Sequence, residues 1–235
     1  MLSVKNLTKT YKGRAAPAVN DVSFELKAGE ICGFLGLNGA GKTTTFKCVA
    51  GILPFEKGEI KICGLDIKKQ ELKSKRCLSY IPDNHAVFEE LSGNEYVNFL
   101  ADMYGVCEKE RKERTEELAS ILNLRHAMNQ QIKTYSHGMK QKIAIIGGVV
   151  HRPKVWILDE PLVGLDPISI RQIQDFMLDY AKEGNAIIFS SHILEIVEKL
   201  CSKVILIDEG KIAEQHDLTQ EKIDLHQVFF RTVKQ

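Results

Sequence analysis

The segment "GLNGAGKTT" (Gly36–Thr44) follows a short apolar run, "ICGFL", and leads into "KTTTFKCVAGIL". It fits G-x-x-x-x-G-K-[ST], the pattern of a strand-to-helix loop that wraps a phosphate chain. Glycine content lets the backbone of Asn38, Gly39, Ala40 and Gly41 curl so that its N–H groups face phosphate. Lys42 then reaches the β- and γ-phosphates of a nucleotide, and the Thr43 hydroxyl, with Thr44 beside it, takes one position on Mg²⁺.

A second apolar run, "KVWIL", ends in two acids, Asp159 and Glu160. Asp159 suits Mg²⁺, directly or through water. Glu160 suits the acceptance of hydrogen from a water attacking the terminal phosphate. Acids at strand ends are common, so this pair is weak by itself. His192 follows "AIIFSS", at the C-terminal end of another strand, where α/β proteins place their sites. One reading gives it a hydrogen bond to the γ-phosphate, and the other leaves it structural. Asp166 in "VGLDP" reads alone as an Asp-Pro turn residue. Tyr11 offers a ring for stacking on a base, or simply strand packing. In "TYSHGMKQK" (Thr134–Lys142), Ser136, Gly138 and the open backbone donors of a starting helix make an anion site. Its sequence neighbourhood contains no nucleotide pocket.

These groups need elements to hold them. The first third reads as short strands and turns: "LSVKNLTKTY", "VNDVSFELK", "ICGFLG", "GEIKICG" and "CLSYI", with "KTTTFKCVAGIL" as a helix closed by Gly51 and Pro54. In the middle, Ser92 and Glu95 form a capping box before a helix whose Val97, Leu100 and Tyr104 share a face. A charged helix follows, "EKERKERTEELASILNL", with Leu118, Ile121 and Leu122 as its apolar stripe. The last third returns to short apolar strands, "KVWILD", "NAIIFSS" and "KVILID", the last turning at "DEGK" into a hairpin. Strands alternating with helices predict an α/β fold with parallel pairs. "KKQELKSKR" reads as a solvated helix face.

Composition removes several classes of function. Lys plus Arg is 32 and Asp plus Glu 31, so no basic field calls for nucleic acid. The longest apolar stretch, Ile143–Val150, is far short of the ~20 residues that span a bilayer. No signal core stands at the N-terminus, which predicts a cytoplasmic location with any membrane role exercised through a partner. The six cysteines show no C-x-x-C spacing and the seven histidines no H-x-x-x-H, so zinc and redox chemistry are not expected. Buried or half-buried free thiols are. A guanine-reading N-K-x-D or T-K-x-D is absent.

Taken in order along nearly the whole chain, these motifs resemble those of the ATP-binding subunits of ABC transporters. Tyr11 is similar to the aromatic that stacks on adenine, "GLNGAGKTT" to the Walker A loop, and "VWILDE" to Walker B with its catalytic glutamate. "YSHGM" resembles the family's L-S-G-G-Q signature, with His137 and Met139 in place of Gly and Gln but Ser136 and Gly138 kept. "VGLD" resembles the D-loop and His192 the switch histidine. Where the family carries its Q-loop glutamine, "SYIPDNH" has Asp83, which the resemblance places near Mg²⁺.

The resemblance implies one P-loop NTPase domain over residues 1–235, with a mostly parallel sheet, an N-terminal antiparallel β portion and an inserted α-helical subdomain. Residues 1–82 and 144–215 would be the catalytic core and 83–143 the helical subdomain with the signature. Residues 216–235 would be a short C-terminal element of unknown role. It implies ATP and Mg²⁺, catalytic roles for Glu160, His192 and Lys42, and nucleotide contacts from Tyr11, Asn38–Thr44, Ser136, Gly138 and Asp166. Thr43, Asp159 and Asp83 would serve the metal. Two ATP-binding subunits, identical or not, would pair head to tail, so that Ser136 and Gly138 bind the partner's ATP. Hydrolysis would reopen the dimer and drive an integral membrane permease from the cytoplasmic face, in the direction of export. A soluble ATPase of the same type, acting on the ribosome or nucleic acid, is the alternative. One P-loop, and no coiled coil or zinc site, weigh against it.

Overall fold

The computed structural model describes residues 1–84, 87–221 and 223–233. Its N-terminal half carries β1 (Leu2–Lys9), β2 (Val19–Leu26), β3 (Ile31–Leu35), α1 (Lys42–Val49), β4 (Lys57–Ile62), β5 (Leu65–Asp66), α2 (Glu71–Arg76) and β6 (Leu78–Ile81). There follow α3 (Gly93–Met103), α4 (Glu108–Ile121), two short 3-10 turns and α5 (His137–Val149). The chain then alternates through β7 (Val155–Leu158), α6 (Pro167–Lys182), β8 (Ala186–Ser191), α7 (Leu194–Leu200), β9 (Lys203–Asp208), β10 (Lys211–Asp217) and α8 (Leu225–Val233). Lys222, Lys234 and Gln235, which belong to the 216–235 stretch, lie outside the described residues.

Two sheets result. The smaller is antiparallel, in the order β2-β1-β4-β5. The larger runs β10-β9-β3-β8-β7-β6, with every pair parallel except β9–β10. The expected α/β architecture, mostly parallel with an antiparallel N-terminal portion, is the one observed.

Burial on both faces explains the unbroken apolar character of the parallel strands. Val155, Ile157, Ile188 and Ile205 point toward α1 and pack with Phe34, Phe46 and the inner faces of β1, β2 and β4. Their neighbours Trp156, Leu158, Ile187, Phe189 and Leu206 point the other way, onto α5, α6 and α7. α1 is therefore enclosed between the two sheets. It ends at Val49, where Gly51 turns left-handed (φ 67°) and closes the helix, the stop its sequence indicates.

The helical insertion follows its sequence signals closely. Ser92 and Glu95 form the reciprocal capping box of α3. Val97 is buried, with Leu100 and Tyr104 half-buried on the same face. In α4 the buried residues are Thr115, Leu118 and Ala119, continued by Leu122 just past its end. This i, i+3, i+4, i+7 stripe is narrow. Ile121 falls outside it and is 48% exposed, so its place in the apolar stripe is corrected. α5 starts within the 83–143 stretch and continues past residue 143, and its Gly147 lets it pack closely against α3 while Gly148 faces β6. All six cysteines are free, and Cys107 is exposed rather than sheltered. The "DEGK" turn is a two-residue hairpin, with Glu209 and Gly210 both at positive φ.

Candidate functional site

Three adjacent strands, β3, β8 and β7, deliver their C-terminal ends side by side. From β3 comes the Gly36–Gly41 loop, from β7 the Asp159–Glu160 pair and from β8 the Ser190–His192 stretch. This is where parallel sheets place ligands.

The loop depends on glycine at two points in particular. A Cβ on Gly36 would stand 2.3 Å from the Ile207 carbonyl oxygen, and one on Gly41 2.6 Å from that of Ala18. Gly41 also takes φ 109°, closed to other residues in ordinary strain limits. Gly41 leaves the start of α1 without a side-chain cap, so its first-turn N–H groups point into the cleft mouth with the positive end of the helix dipole. The loop is braced from behind. The Gly210 N–H donates to the Ala40 carbonyl at 2.9 Å, and the Gly210 carbonyl accepts from the Asn20 N–H at 2.7 Å.

Lys42 is buried, and its ammonium donates to the carbonyls of Gly36 (2.7 Å) and Leu37 (3.1 Å). Burial pulls its pKa down, against the opposing pull of Glu160 and Asp159. A cleft of about 610 Å³ opens over the loop. Tyr11, Asn38, Gly39, Gly41, Lys42, Thr43, Thr44, Asp83, Asp159 and Glu160 all line it. The Tyr11 hydroxyl is 3.2 Å from the Thr44 hydroxyl, which holds its ring at the rim.

The two acids share a partner. Asp159 is 2% exposed, and its Oδ1 accepts from the Ser190 hydroxyl at 2.6 Å. Its Oδ2 is buried and makes no hydrogen bond of good geometry, and the buried Tyr80 hydroxyl, also without one, stands close to this carboxylate. A buried carboxylate oxygen without a well-made hydrogen bond is costly, and Asp159 lines the cleft with Thr43 and Asp83, an oxygen set suited to a hard cation. Glu160 sits at φ 49°, and its N–H donates to Ser190 Oγ at 2.8 Å. Its Oε2 lies 3.1 Å from His192 Nδ1, and since a carboxylate only accepts, the ring nitrogen donates. His192 and Glu160 also line an adjoining cleft with Leu37, Asp83, Gly164 and Phe229 of α8.

Three of the residues singled out in the sequence stand apart from both clefts, and Ala40 is buried beneath the loop. Ser136 caps α5 by accepting from the Met139 N–H. Gly138 is buried in the first turn of α5, where a Cβ would meet Ser169 Oγ at 3.1 Å and Asp166 Oδ2 at 3.4 Å. Asp166 caps α6, accepting from the Ile168 and Ser169 N–H groups and from the Ser169 hydroxyl, bonds that hold its carboxyl below its usual pKa. Arg14 and Ala18, in the β1–β2 connection, line the cleft without having been singled out, and so does Ser190 lie between the acids. Only Ser190 had a legible signal: it continues the Ile188 face of β8, the face turned toward α1.

A family profile described as ABC transporter matches residues 19–163. Among curated proteins, the chain is 37% identical to the uncharacterized ABC transporter ATP-binding protein YhcH of Bacillus subtilis (strain 168), over all of this chain and 76% of that protein. It is 36% identical to the linearmycin resistance ATP-binding protein LnrL of the same organism, over 90% of this chain and 68% of that one. Among solved structures, an ATP-binding subunit of an ABC transporter superposes with a TM-score of 0.92 at 29% identity, covering 99% of both chains.

Proposed function

This chain belongs to the ABC transporter family of ATP-binding proteins, and on that premise we propose how its residues bind and hydrolyse ATP as the motor of a transporter. The observation that carries the reading is the convergence on one cleft of the phosphate loop, Lys42 and two acids, one of which keeps a buried oxygen without a well-made hydrogen bond.

Tyr11 stacks on the adenine, while the loop N–H groups and Lys42 hold the phosphates. Thr43, Asp159 and Asp83 are the residues that would hold Mg²⁺, whose charge offsets that of the β- and γ-phosphates. Glu160 accepts a proton from the attacking water, and the His192 Nδ1–H bond keeps that carboxylate aimed. In this reading residues 83–143 act as a helical subdomain against 1–82 and 144–215.

Ser136 and Gly138 line neither cleft, although His137 between them lines the second; in this reading the phosphate they receive belongs to a second ATP-binding subunit set head to tail. ATP closes that pair and hydrolysis reopens it. Among the described residues no helix is long and apolar enough to cross a membrane. Membership of the ABC transporter family supports a permease, engaged from its cytoplasmic face, as the part that carries force to the bilayer. Likeness to a linearmycin resistance protein supports export as the direction.

Glu160→Gln tests this. It removes the proton acceptor and leaves the phosphate cradle, so ATP binding should persist while hydrolysis falls by about 10²–10⁴-fold. An ATP-dependent dimer should accumulate in light scattering. Turnover near wild type would move the base elsewhere, and a persistent monomer would overturn the head-to-tail arrangement.

A further inference from the structure

Ser190 is fully buried near the end of β8, on a strand face whose other positions, Ala186 and Ile188, are apolar. A hydroxyl there is unfavourable unless its hydrogen bonds are met. They are met by two groups of opposite character. Asp159 Oδ1, which can only accept, receives a hydrogen bond from the hydroxyl at 2.6 Å. The Glu160 N–H, which can only donate, approaches the same oxygen at 2.8 Å. The direction of both bonds is therefore fixed without any choice of rotamer.

We propose that Ser190 is a positioning residue that locks the metal-facing acid and the proton-accepting acid into one rigid unit. This rests on the reading of the site given above and deepens it. Two consequences follow from the geometry. By occupying Oδ1 of Asp159, Ser190 leaves Oδ2 as the carboxylate oxygen for the cation, and Oδ2 makes no well-formed hydrogen bond, with only the Tyr80 hydroxyl close to the carboxylate as a rival. By holding the Glu160 N–H, Ser190 restrains a side-chain-bearing residue in the left-handed region, which it keeps only under restraint. Losing the hydroxyl frees both acids together: Asp159 can turn either oxygen to the cleft, and Glu160 can relax away from the water.

The neighbouring serine does not share this role. Ser191 Oγ accepts from the Ile193 N–H at 3.0 Å and so shapes the turn after His192.

The test is Ser190→Ala against Ser190→Thr, which restores the hydroxyl. Steady-state hydrolysis by Ser190→Ala should show kcat lowered about tenfold or more. The Mg²⁺ concentration at half-maximal rate should rise several-fold, while KM for ATP stays within about twofold. Ser190→Thr should recover both quantities. The metal arm is also read without turnover: in a Glu160→Gln background, Ser190→Ala should raise the Mg²⁺ needed for ATP-driven dimerisation. If Glu160→Gln alone still hydrolyses ATP or fails to dimerise, the underlying reading of the site fails, and that is distinguishable from failure of the present proposal. Ser190→Ala with a rate and Mg²⁺ requirement near wild type overturns the role of Ser190, as does a lowered rate with an unmoved Mg²⁺ requirement in both backgrounds. Should Ser190→Ala not stay folded, Ser190→Cys, similar in size but a weak donor, replaces it in the same assays.

Discussion

Glu160 occupies a backbone conformation that glycine would hold at no steric cost. Its φ is 49°, in the left-handed region, where a Cβ crowds the adjoining carbonyl by roughly 1–2 kcal/mol. Comparing Glu160→Gly with Glu160→Ala isolates that cost, since both lose the carboxylate, the contact with His192 and the charge beside Asp159. Both keep the N–H bond to Ser190. In an ordinary helix or strand the glycine variant would be the less stable of the two by about 0.5–1 kcal/mol, because its unfolded chain is freer. Here the relieved strain opposes that term and exceeds it, leaving glycine ahead by roughly 0.5–1 kcal/mol. For a chain of this length that corresponds to a melting temperature about 2–4 °C per kcal/mol higher. Thermal unfolding of the two variants without nucleotide, followed by calorimetry, measures it directly. Both variants should be inactive, so any stability gained at this position comes at the expense of catalysis. If Glu160→Gly melts below Glu160→Ala, the strain is not real and the account of how Ser190 restrains Glu160 loses its basis.

His151 is stacked on Tyr104, with ring centroids 3.6 Å apart, and one ring nitrogen lies 3.2 Å from the Leu78 carbonyl. Burial drives its pKa down from 6.5 to about 4, despite the Leu78 carbonyl and with Arg114 adding to the effect. Below pH 6.5 the unfolded chain therefore takes up a proton that the folded chain refuses, and stability is lost as pH falls toward 4. His151→Phe keeps a stacked ring and should flatten that part of the stability–pH curve by up to about 1.4 kcal/mol per pH unit, measured by urea unfolding. An unchanged slope would mean that His151 protonates freely in the fold. Gly147 lets α5 approach α3, since a Cβ there would stand 2.6 Å from Leu100 Cδ1 and 2.7 Å from Tyr96 Cε1. Gly147→Ala should destabilise the protein by roughly 1–3 kcal/mol through overpacking, read as a lower urea midpoint. A stability equal to wild type would show that the two helices can part without cost.

The phosphate loop could be read directly from sequence because its residue types are demanded by local geometry: the close approaches at Gly36 and Gly41 admit no side chain. The capping box at Ser92 and Glu95 was legible for the same reason, being complete within four residues. What sequence could not supply was registry between elements. Asp159 and Ser190 are neighbours only because β7 pairs with β8 with Leu158 opposite Phe189. The alternation in "AIIFSS" sets Ser190 on the Ile188 face and Ser191 on the other, but it does not say which face meets the acids. Arg14 and Ala18 reach the cleft through an irregular connection that has no period to betray them. Ile121 misled in the opposite way. Its hydrophobicity matched a stripe, but a charged helix that buries one narrow face leaves no place for it. The start of α5 was recognisable as an anion site from its residues, whereas the meeting of its His137 with Glu160 and His192 along one cleft exists only in three dimensions.

The brace behind the phosphate loop couples parts of the chain that are distant in sequence. Gly210, at the tip of the β9–β10 hairpin, is bonded on one side to Ala40 and on the other to Asn20, and it passes as close to Ala18 as Gly41 does. Asn20 belongs to the antiparallel sheet and the hairpin to the parallel one. The loop is thus a seam sewn through both sheets. A twist of one sheet against the other cannot leave the seam untouched, and a nucleotide that tightens the loop pulls on both. An insertion at the hairpin tip, far from every nucleotide motif in the sequence, would unpick the same stitches as an insertion in the loop itself.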